Sequence, residues 1–140
     1  MKEKNRKRNS SGFTIVEILV VVIIIAVLAS MIAPKFFRHI GQAKQSVAKN
    51  NIIALESAID IFSVDYGRLP ENLEELVTRP ADIAEEKWQT PSIKAKDLID
   101  PWERQYLYKQ PGDNGPYDLY SLGKDGQESG KDEDADIVNW

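Results

Sequence analysis

An apolar run of 21 residues near the N-terminus, from Phe13 to Ala33, constrains this chain more than any other feature. At about 1.5 Å per residue, a helix of that length matches a hydrocarbon core roughly 30 Å thick. Its single charged residue is Glu17, and a carboxylate at the centre of a bilayer costs about 3 kcal/mol. The run therefore predicts a membrane-spanning helix whose one carboxylate has a function.

Charge is divided unevenly between the two ends of the chain. The first eleven residues carry a balance of +4, and the remaining 129 carry −8. Because basic flanks stay on the cytoplasmic side of a membrane, we expect the acidic body to be exported. The same asymmetry argues against nucleic-acid binding.

A conventional cleaved secretory signal is the alternative interpretation of this segment. Such a signal also has a basic start, but its apolar region is usually about 7 to 15 residues and ends at a small-x-small site. The run here is longer, and Ala29-Ser30-Met31 is a poor version of that site. Glu17 would also be out of place in a signal, so a membrane anchor is favoured.

Four zones follow one another along the chain. Residues 1–12 form a basic leader, residues 13–33 the membrane-length helix, residues 34–66 an amphipathic continuation, and residues 67–140 a small turn-rich domain. Pro34 lies between the two helical zones, and a proline inside a helix usually kinks it. The pattern allows one bent helix of about 50 residues or two helices separated at Pro34.

Apolar residues recur at helical spacing in the amphipathic zone. Their steps of three and four residues place them on one face, and Gly67 followed by Pro70 is typical of a helix end. The last zone is close to the lower size limit for an independent core, so we expect this stripe to complete that core. The stripe comprises Ala48, Ile52, Leu55, Ile59, Phe62 and Tyr66.

The last zone carries signals for a short helix and a β-hairpin. Residues 69–77 have helical spacing, and residues 105–110 and 117–122 are predicted strands on either side of the turn-rich segment 111–116. The sequence thus predicts an α+β fold with a long N-terminal helix packed on a small antiparallel β-sheet. The residues expected to pack are Leu73, Leu76 and Val77 in the short helix, and Ile137, Val138 and Trp140 at the C-terminus.

Six carboxylates lie within twelve residues, from Asp125 to Asp136. Calcium, which takes six to eight oxygen ligands, suits such a segment better than zinc, because the chain has no cysteine and His39 is far away. The segment is not an EF-hand, since Asp132-x-Asp134-x-Asp136 lacks the following glycine and the closing glutamate. On these residues alone, a calcium loop and a solvated acidic loop both stay open.

An enzyme is not expected. The only histidine, His39, lies beside the predicted membrane boundary, and the sequence has no cysteine, phosphate-binding glycine loop or plausible Ser–His pair. Trp88, Trp102 and Trp140 are interpreted as core or interface aromatics.

A short motif at the start of the apolar run, GFTIVE over residues 12–17, resembles the processing site of type IV pilins and type II secretion pseudopilins. In that superfamily a membrane peptidase cuts after the glycine and methylates the new N-terminal residue. The resemblance implies cleavage between Gly12 and Phe13 and an N-methylated Phe13. It also implies assembly roles for Glu17 and Pro34, which, counted from Phe13, stand where the superfamily has a glutamate and a proline.

The chemistry of such a cut gives Glu17 a role. Cleavage after Gly12 leaves a free amine at the edge of an apolar helix, about one turn from Glu17. In a staggered bundle, the amine of one subunit pairs with Glu17 of a neighbour, and breaking a desolvated pair costs about 3 to 5 kcal/mol. We therefore expect the pair to fix the register. The alternative is a Glu17 that snorkels to the interface or stays protonated.

The C-terminal segment from Tyr117 to Trp140 is similar to that of the major pseudopilin family of type II secretion, and residues 66–70 and 100–102 also match it. Two features depart from the family: Glu103 stands where glycine is common, and the stretch after Pro70 is shorter. The family binds one calcium in this loop, which would staple a small cysteine-free domain. The implied ligands are Asp125, Asp132, Asp136 and the Leu122 main-chain carbonyl. Asp134 is the expected substitute if one of these aspartates does not bind.

The resemblance implies a structural subunit of a periplasmic pseudopilus that helps to export folded proteins across the outer membrane. Its implied partners are copies of itself, minor pseudopilins, the prepilin peptidase, and an inner-membrane platform with its ATPase. We expect a single-pass inner-membrane protein whose C-terminal domain is periplasmic. The alternatives are a type IV pilus or competence pilin, and a monomeric membrane-tethered calcium-binding module, which would tolerate Glu17→Ala and would not be cleaved at Gly12.

Overall fold

The computed structural model describes residues 12–140, so all of the predicted leader except Gly12 lies outside the described residues. The described part contains one long helix, three short strands and four 3-10 helices. This is the α+β class that the sequence predicts. The chain divides into two compact units, one ending at Phe37 and the other spanning Arg38–Trp140.

One helix, α1 (Ile15–Tyr66), covers 52 residues and both predicted helical zones. The helix runs through Pro34 without a break, so the alternative of two separate helices is wrong. Its stretch Ile15–Ala33 is long and apolar enough to cross a membrane, and no part of it is buried by the residues that the structure describes. Gly67 follows the helix with φ 72°, a left-handed conformation that glycine adopts without Cβ strain.

The predicted stripe on α1 forms the helical wall of the core in the second unit. Five of its six members are buried, and Tyr66 packs at the edge of the core. Fully burying a Leu, Ile or Phe side chain contributes about 1.5 to 3 kcal/mol, so this face supplies much of the stability of a small domain. The buried cluster comprises Ile52, Leu55, Ala58, Ile59, Phe62, Leu73, Leu76, Ile83, Leu98, Tyr106 and Leu119.

A three-stranded antiparallel sheet in the order β1-β2-β3 packs with this core. Strands β1 (Leu107–Lys109) and β2 (Asp118–Ser121) form the predicted hairpin. Strand β3 (Ile137–Val138) pairs with the other edge of β2. The sequence predicts that this C-terminal segment docks, and the structure adds that Ile137 and Val138 dock as a strand. The prediction is only partly right for Trp140, which contacts the Tyr120 ring but is 54 % exposed. Leu119, in the central strand, is fully buried and joins the sheet to the core.

Three 3-10 helices lie between α1 and β1: Leu73–Leu76, Glu85–Lys87 and Ala95–Leu98. The first is the short helix predicted after Pro70, in the tighter 3-10 form. The Asn72 side chain caps it by accepting a hydrogen bond from the Glu75 amide at 3.2 Å. Such a cap satisfies a backbone donor that the helix itself leaves without a partner.

Arg68 fastens the segment that follows α1. Its guanidinium donates to the Glu75 carboxylate at 2.7 Å and to both Asp82 oxygens at 3.0 Å. It also lies 5.3 Å from the centre of the Phe62 ring, within cation–π range. The hydrogen bond to Glu75, followed by that to Asp82, outweighs partial burial and raises the pKa of Arg68. The bidentate Asp82 contact is the arrangement that favours arginine over lysine.

Candidate functional site

The start of α1 holds the predicted processing residues and Glu17. Gly12 and Phe13 precede the helix in chain without regular structure, and Phe13 is 83 % exposed. The Thr14 hydroxyl accepts a hydrogen bond from the Glu17 amide at 3.2 Å. In return, the Glu17 carboxylate accepts one from the Thr14 amide at 2.9 Å and one from the Thr14 hydroxyl at 3.1 Å. This reciprocal pairing is a capping box.

Thr14 is thus a site residue that the sequence reasoning missed. The signal was present, because threonine followed three residues later by glutamate is the sequence pattern of a capping box. In a single subunit these bonds satisfy the Glu17 carboxylate beside an apolar helix. The predicted pairing of Glu17 with another subunit's amine would therefore have to compete with the bonds from Thr14.

Pro34, the other predicted assembly residue, lies inside α1. It is one full membrane span from Glu17, because the candidate membrane segment Ile15–Ala33 ends immediately before it. The structure therefore does not bring Pro34 and Glu17 together. Its position marks the point where the apolar part of α1 gives way to the amphipathic part.

Every predicted metal ligand lies in the C-terminal loop, defined here as residues 122–136, which joins β2 to β3. Gly123 and Gly130 have φ of 62° and 137°, conformations that favour glycine. A Cβ on Gly123 would lie 2.7 Å from the Ala135 carbonyl oxygen, and one on Gly130 would overlap the Asp134 carbonyl. The loop therefore folds back on itself closely, and both glycines are needed for that approach.

Asp136 provides the observation that fits a cation. Its Oδ2 accepts a hydrogen bond from the Ser129 amide at 2.9 Å, whereas its Oδ1 is buried and finds no hydrogen-bond partner in the part of the chain that the structure describes. A buried carboxylate oxygen without a partner is costly. A calcium ion takes oxygen ligands of this kind, so the donor chemistry of the loop suits it.

The other predicted ligands are arranged less completely. Asp125 Oδ1 accepts from the Gln127 amide at 3.1 Å, and the Leu122 carbonyl accepts from the Gly126 amide at 3.2 Å. Among residues 12–140, no three Asp, Glu or His side chains lie close enough together to hold a metal ion. The structure thus does not gather the predicted aspartates into one cluster. Asp132 and Asp134 lie in the loop's 3-10 helix (Asp132–Asp134).

Helix α1 also holds this loop, through a residue that the sequence did not single out. The Gln45 amide donates to the Asp132 carbonyl and, at 3.4 Å, to the Ala135 carbonyl. Gly41, one turn earlier, is buried, and a Cβ there would overlap the Glu133 side chain. Glu133 in turn pairs with Lys124 at 2.9 Å across the loop. The acidic loop is therefore packed onto α1.

Glu103, which departs from the family pattern, has an unfavourable backbone conformation. Its φ is 67°, in the left-handed region where a Cβ is crowded. Glycine, common at this position in the resembling family, has no Cβ to crowd. The strain therefore belongs to this chain's substitution and not to the turn itself.

Replacing Glu103 by Gly is expected to stabilise the protein. The left-handed conformation costs an L-residue roughly 1 to 2 kcal/mol. Glycine removes this cost, but its extra freedom in the unfolded chain offsets part of the gain in stability. We expect a gain of about 1 kcal/mol and a melting temperature higher by a few degrees in detergent, followed by circular dichroism. Glu86→Gly, in the 3-10 helix Glu85–Lys87, is the matched control and should not stabilise. An unchanged or lower melting temperature for Glu103→Gly would contradict the assigned strain.

Comparison with known proteins gives matches that cover both the start of α1 and the C-terminal loop. Residues 35–140 match the family profile described as type II secretion system (T2SS), protein G, and residues 7–33 match the prokaryotic N-terminal methylation motif. The two matches meet within α1, next to Pro34.

Several proteins named type II secretion system core protein G are similar over nearly their whole length. That of Pseudomonas aeruginosa is 43 % identical over 139 residues, covering 96 % of this chain and 98 % of that protein. That of Vibrio cholerae is 38 % identical over 138 residues, covering 96 % and 94 %. That of Escherichia coli K12 is 38 % identical over 134 residues, covering 92 % and 90 %.

A solved structure agrees with these matches. The major pseudopilin from the type 2 secretion system of enterohaemorrhagic Escherichia coli superposes with a TM-score of 0.58 and 27 % identity, covering 73 % of this chain and 87 % of that one. Family profile, relatives and fold lead to one conclusion: the chain belongs to the protein G family of the type II secretion system, the family of its major pseudopilins.

Proposed function

We propose that this pseudopilin builds the periplasmic pseudopilus by polymerising through its N-terminal helix, and so helps to drive folded proteins across the outer membrane. Membership of the protein G family supports the general role of a pseudopilus subunit. The observation that carries the mechanism is Glu17, the one charged residue of the apolar run, which lies in the first turn of α1. Within residues 12–140, its carboxylate accepts hydrogen bonds from Thr14 alone. A neighbour's amine offers this carboxylate a full opposite charge.

Processing between Gly12 and Phe13 precedes assembly in this proposal. The match to the N-terminal methylation motif over residues 7–33 supports it. Residues 12–14 have no regular structure and are exposed, so the bond to be cut lies outside the helix. Cleavage there creates the amine of Phe13 beside the capping box, and methylation keeps that amine basic.

The exposed face of the amphipathic half of α1 supports a homopolymer. Ile40, Val47 and Ile61 are spaced by seven and fourteen residues, and they are 42 %, 50 % and 52 % exposed. A seven-residue spacing places them in one line along the helix, as in helix–helix packing. Val64, 84 % exposed, extends this apolar surface. In the proposed polymer, helices of neighbouring copies cover it.

The remaining partners and the topology follow from the secretion-system context. Family membership supports assembly with other components of that system. As partners of this chain we propose minor pseudopilins, the prepilin peptidase, and the inner-membrane platform with its ATPase. The basic leader, the single candidate span in the described residues and the acidic body support one pass through the inner membrane with a periplasmic C-terminus.

Calcium binding by the C-terminal loop is part of the proposal. The buried Asp136 Oδ1, which has no hydrogen-bond partner among the described residues, supports it. Asp125, Asp132 and the Leu122 carbonyl would complete the protein ligands, and Asp134 would take the place of any aspartate among them that does not bind. When bound, the ion supplies positive charge to a crowded acidic segment. The chain itself holds the loop near α1 through Gln45, and it fixes the end of the loop by pairing β3 with β2.

Intact-mass analysis of the membrane-extracted protein tests processing. We expect a chain that begins at singly methylated Phe13. Gly12→Val should remain at full length, because the residue before the cut is altered, whereas Thr14→Ser should be processed, since serine preserves the cap. A wild-type chain that begins near residue 30, or one that keeps residues 1–12, would refute the assembly proposal at its first step.

A further inference from the structure

The Arg104 side chain reaches from the turn before β1 to the main chain of the C-terminal loop. Its Nη2 donates to the Gly123 carbonyl, and its Nη1 donates to the Lys124 carbonyl at 3.3 Å. The guanidinium also lies over Gly126, where a Cβ would be 3.0 Å from Nη1. Arg104 therefore binds the first turn of the loop, at a site 19 to 22 residues away in sequence.

A buried carboxylate fixes the backbone from which Arg104 extends. Asp100 is 5 % exposed, and its Oδ1 accepts hydrogen bonds from the Trp102 and Arg104 amides at 2.9 Å each. Its Oδ2 accepts one from the Ser121 hydroxyl at 2.6 Å. Ser121, 1 % exposed, ends β2 immediately before the C-terminal loop. The turn and the start of the loop are thus held together, and Arg104 reaches the loop from a fixed base.

Arg104 also changes the charge balance of the loop. Residues 122–136 contain six carboxylates and two lysines, a net charge of −4. A guanidinium bound to the main chain of this segment lessens its self-repulsion, as any nearby cation would. Its two acceptors, the Gly123 and Lys124 carbonyls, lie in sequence between the proposed ligands Leu122 and Asp125. Arg104 therefore orders the chain between two proposed ligands without occupying either.

From this geometry we propose that Arg104 is a positioning residue, an internal cation that keeps the C-terminal loop closed in the metal-free subunit. Calcium then binds a loop that is already ordered on the Arg104 side. Without metal, the order of the loop depends on Arg104. With calcium bound, the order of the loop depends less on Arg104, and this part of the proposal rests on the proposed calcium site.

Hydrogen–deuterium exchange of the processed protein in detergent, with the whole of α1 retained, tests the role of Arg104. Arg104→Met keeps the length of the side chain and removes its charge and donors. In chelator, we expect residues 122–136 of this variant to exchange about tenfold faster than in the parent, which is a loss of roughly 1.4 kcal/mol of loop closure. The core segment of α1 should not change. Arg104→Lys, which keeps the charge without the fork, should restore part of the protection.

Added calcium and a matched variant separate the possible outcomes. With calcium, the difference between Arg104→Met and the parent should shrink. Arg79→Met, which removes a contact to the Ile83 carbonyl elsewhere in the domain, should leave loop exchange unchanged. Equal loop exchange in chelator, or faster exchange spread over α1 as well, overturns the proposal. If the loop opens in chelator and calcium protects neither protein, the role of Arg104 stands and the calcium site fails.

Discussion

A Glu17→Gln subunit is expected to enter the membrane and to be processed, but not to polymerise. Glutamine can still accept hydrogen bonds from Thr14, so the start of α1 is retained. It offers no negative charge to the Phe13 amine of a neighbour. Leaving that amine buried without its partner costs about 3 to 5 kcal/mol per contact, which is more than a hundredfold in each association step. We therefore expect no filaments and no secretion.

The measurement compares three subunits produced at equal levels with the rest of the secretion system. Sheared filament yield, electron microscopy and export of a folded substrate report assembly, and intact mass confirms processing. Ser30→Ala is the matched control, because the Ser30 hydroxyl donates to its own helix at the Val27 carbonyl, 2.7 Å away, and needs no other subunit. Wild-type filament yield from a processed Glu17→Gln subunit would remove the charge-pair mechanism and favour a carboxylate that stays protonated or at the interface.

If Glu17 acts as proposed, the capping box gives its carboxylate hydrogen-bond donors in the single subunit before assembly. Thr14 supplies two donors to the Glu17 carboxylate in a single chain, which lowers the cost of keeping it beside lipid. These are hydrogen bonds from neutral groups, and a charged amine is a stronger partner. In the proposed mechanism, the subunit would therefore be stable enough to be stored and would still gain free energy on polymerising.

Features with a local period could be predicted from the sequence. The stripe that includes Leu55 and Ile59 was predicted because a buried helix face repeats every three to four residues. The hairpin was predicted because a dense turn separates two strand-like segments. Both predictions are confirmed. The family resemblance at residues 12–17 and at the C-terminus is confirmed as well.

Contacts between distant segments could not be predicted in this way. Gln45 meets the Asp132 carbonyl across 87 residues, and Ser121 meets Asp100 across 21. No periodicity records which polar side chain will face which carbonyl, so Gln45, Asp100 and Arg104 were missed. Strand β3 has only two residues, too few to show an alternating pattern. The calcium ligands stay a prediction for the same reason, because their geometry is set by the loop's long-range contacts.

Removing calcium is expected to destabilise the C-terminal domain strongly. A ligand present at a hundred times its Kd stabilises the folded state by about 2.7 kcal/mol, which corresponds to roughly 10 °C in the melting temperature of a domain of about 100 residues. We expect chelation to lower the melting temperature of the processed protein in detergent by about that amount. It should also expose the C-terminal loop to proteases.

The sign of the effect at Asp136 makes this prediction specific. Its Oδ1 is buried and has no hydrogen-bond partner among residues 12–140, so the carboxylate is costly without a cation and useful with one. Asp136→Asn should therefore melt no lower than the parent in chelator, yet gain little or nothing when calcium is added. Asp65→Asn, on the exposed surface of α1, should keep the full calcium response. A response lost in Asp134→Asn and kept in Asp136→Asn would move the site within the loop. A parent protein whose melting is unaffected by chelation would rule the site out, because an ion that contributes no folding free energy cannot be the staple of this cysteine-free domain.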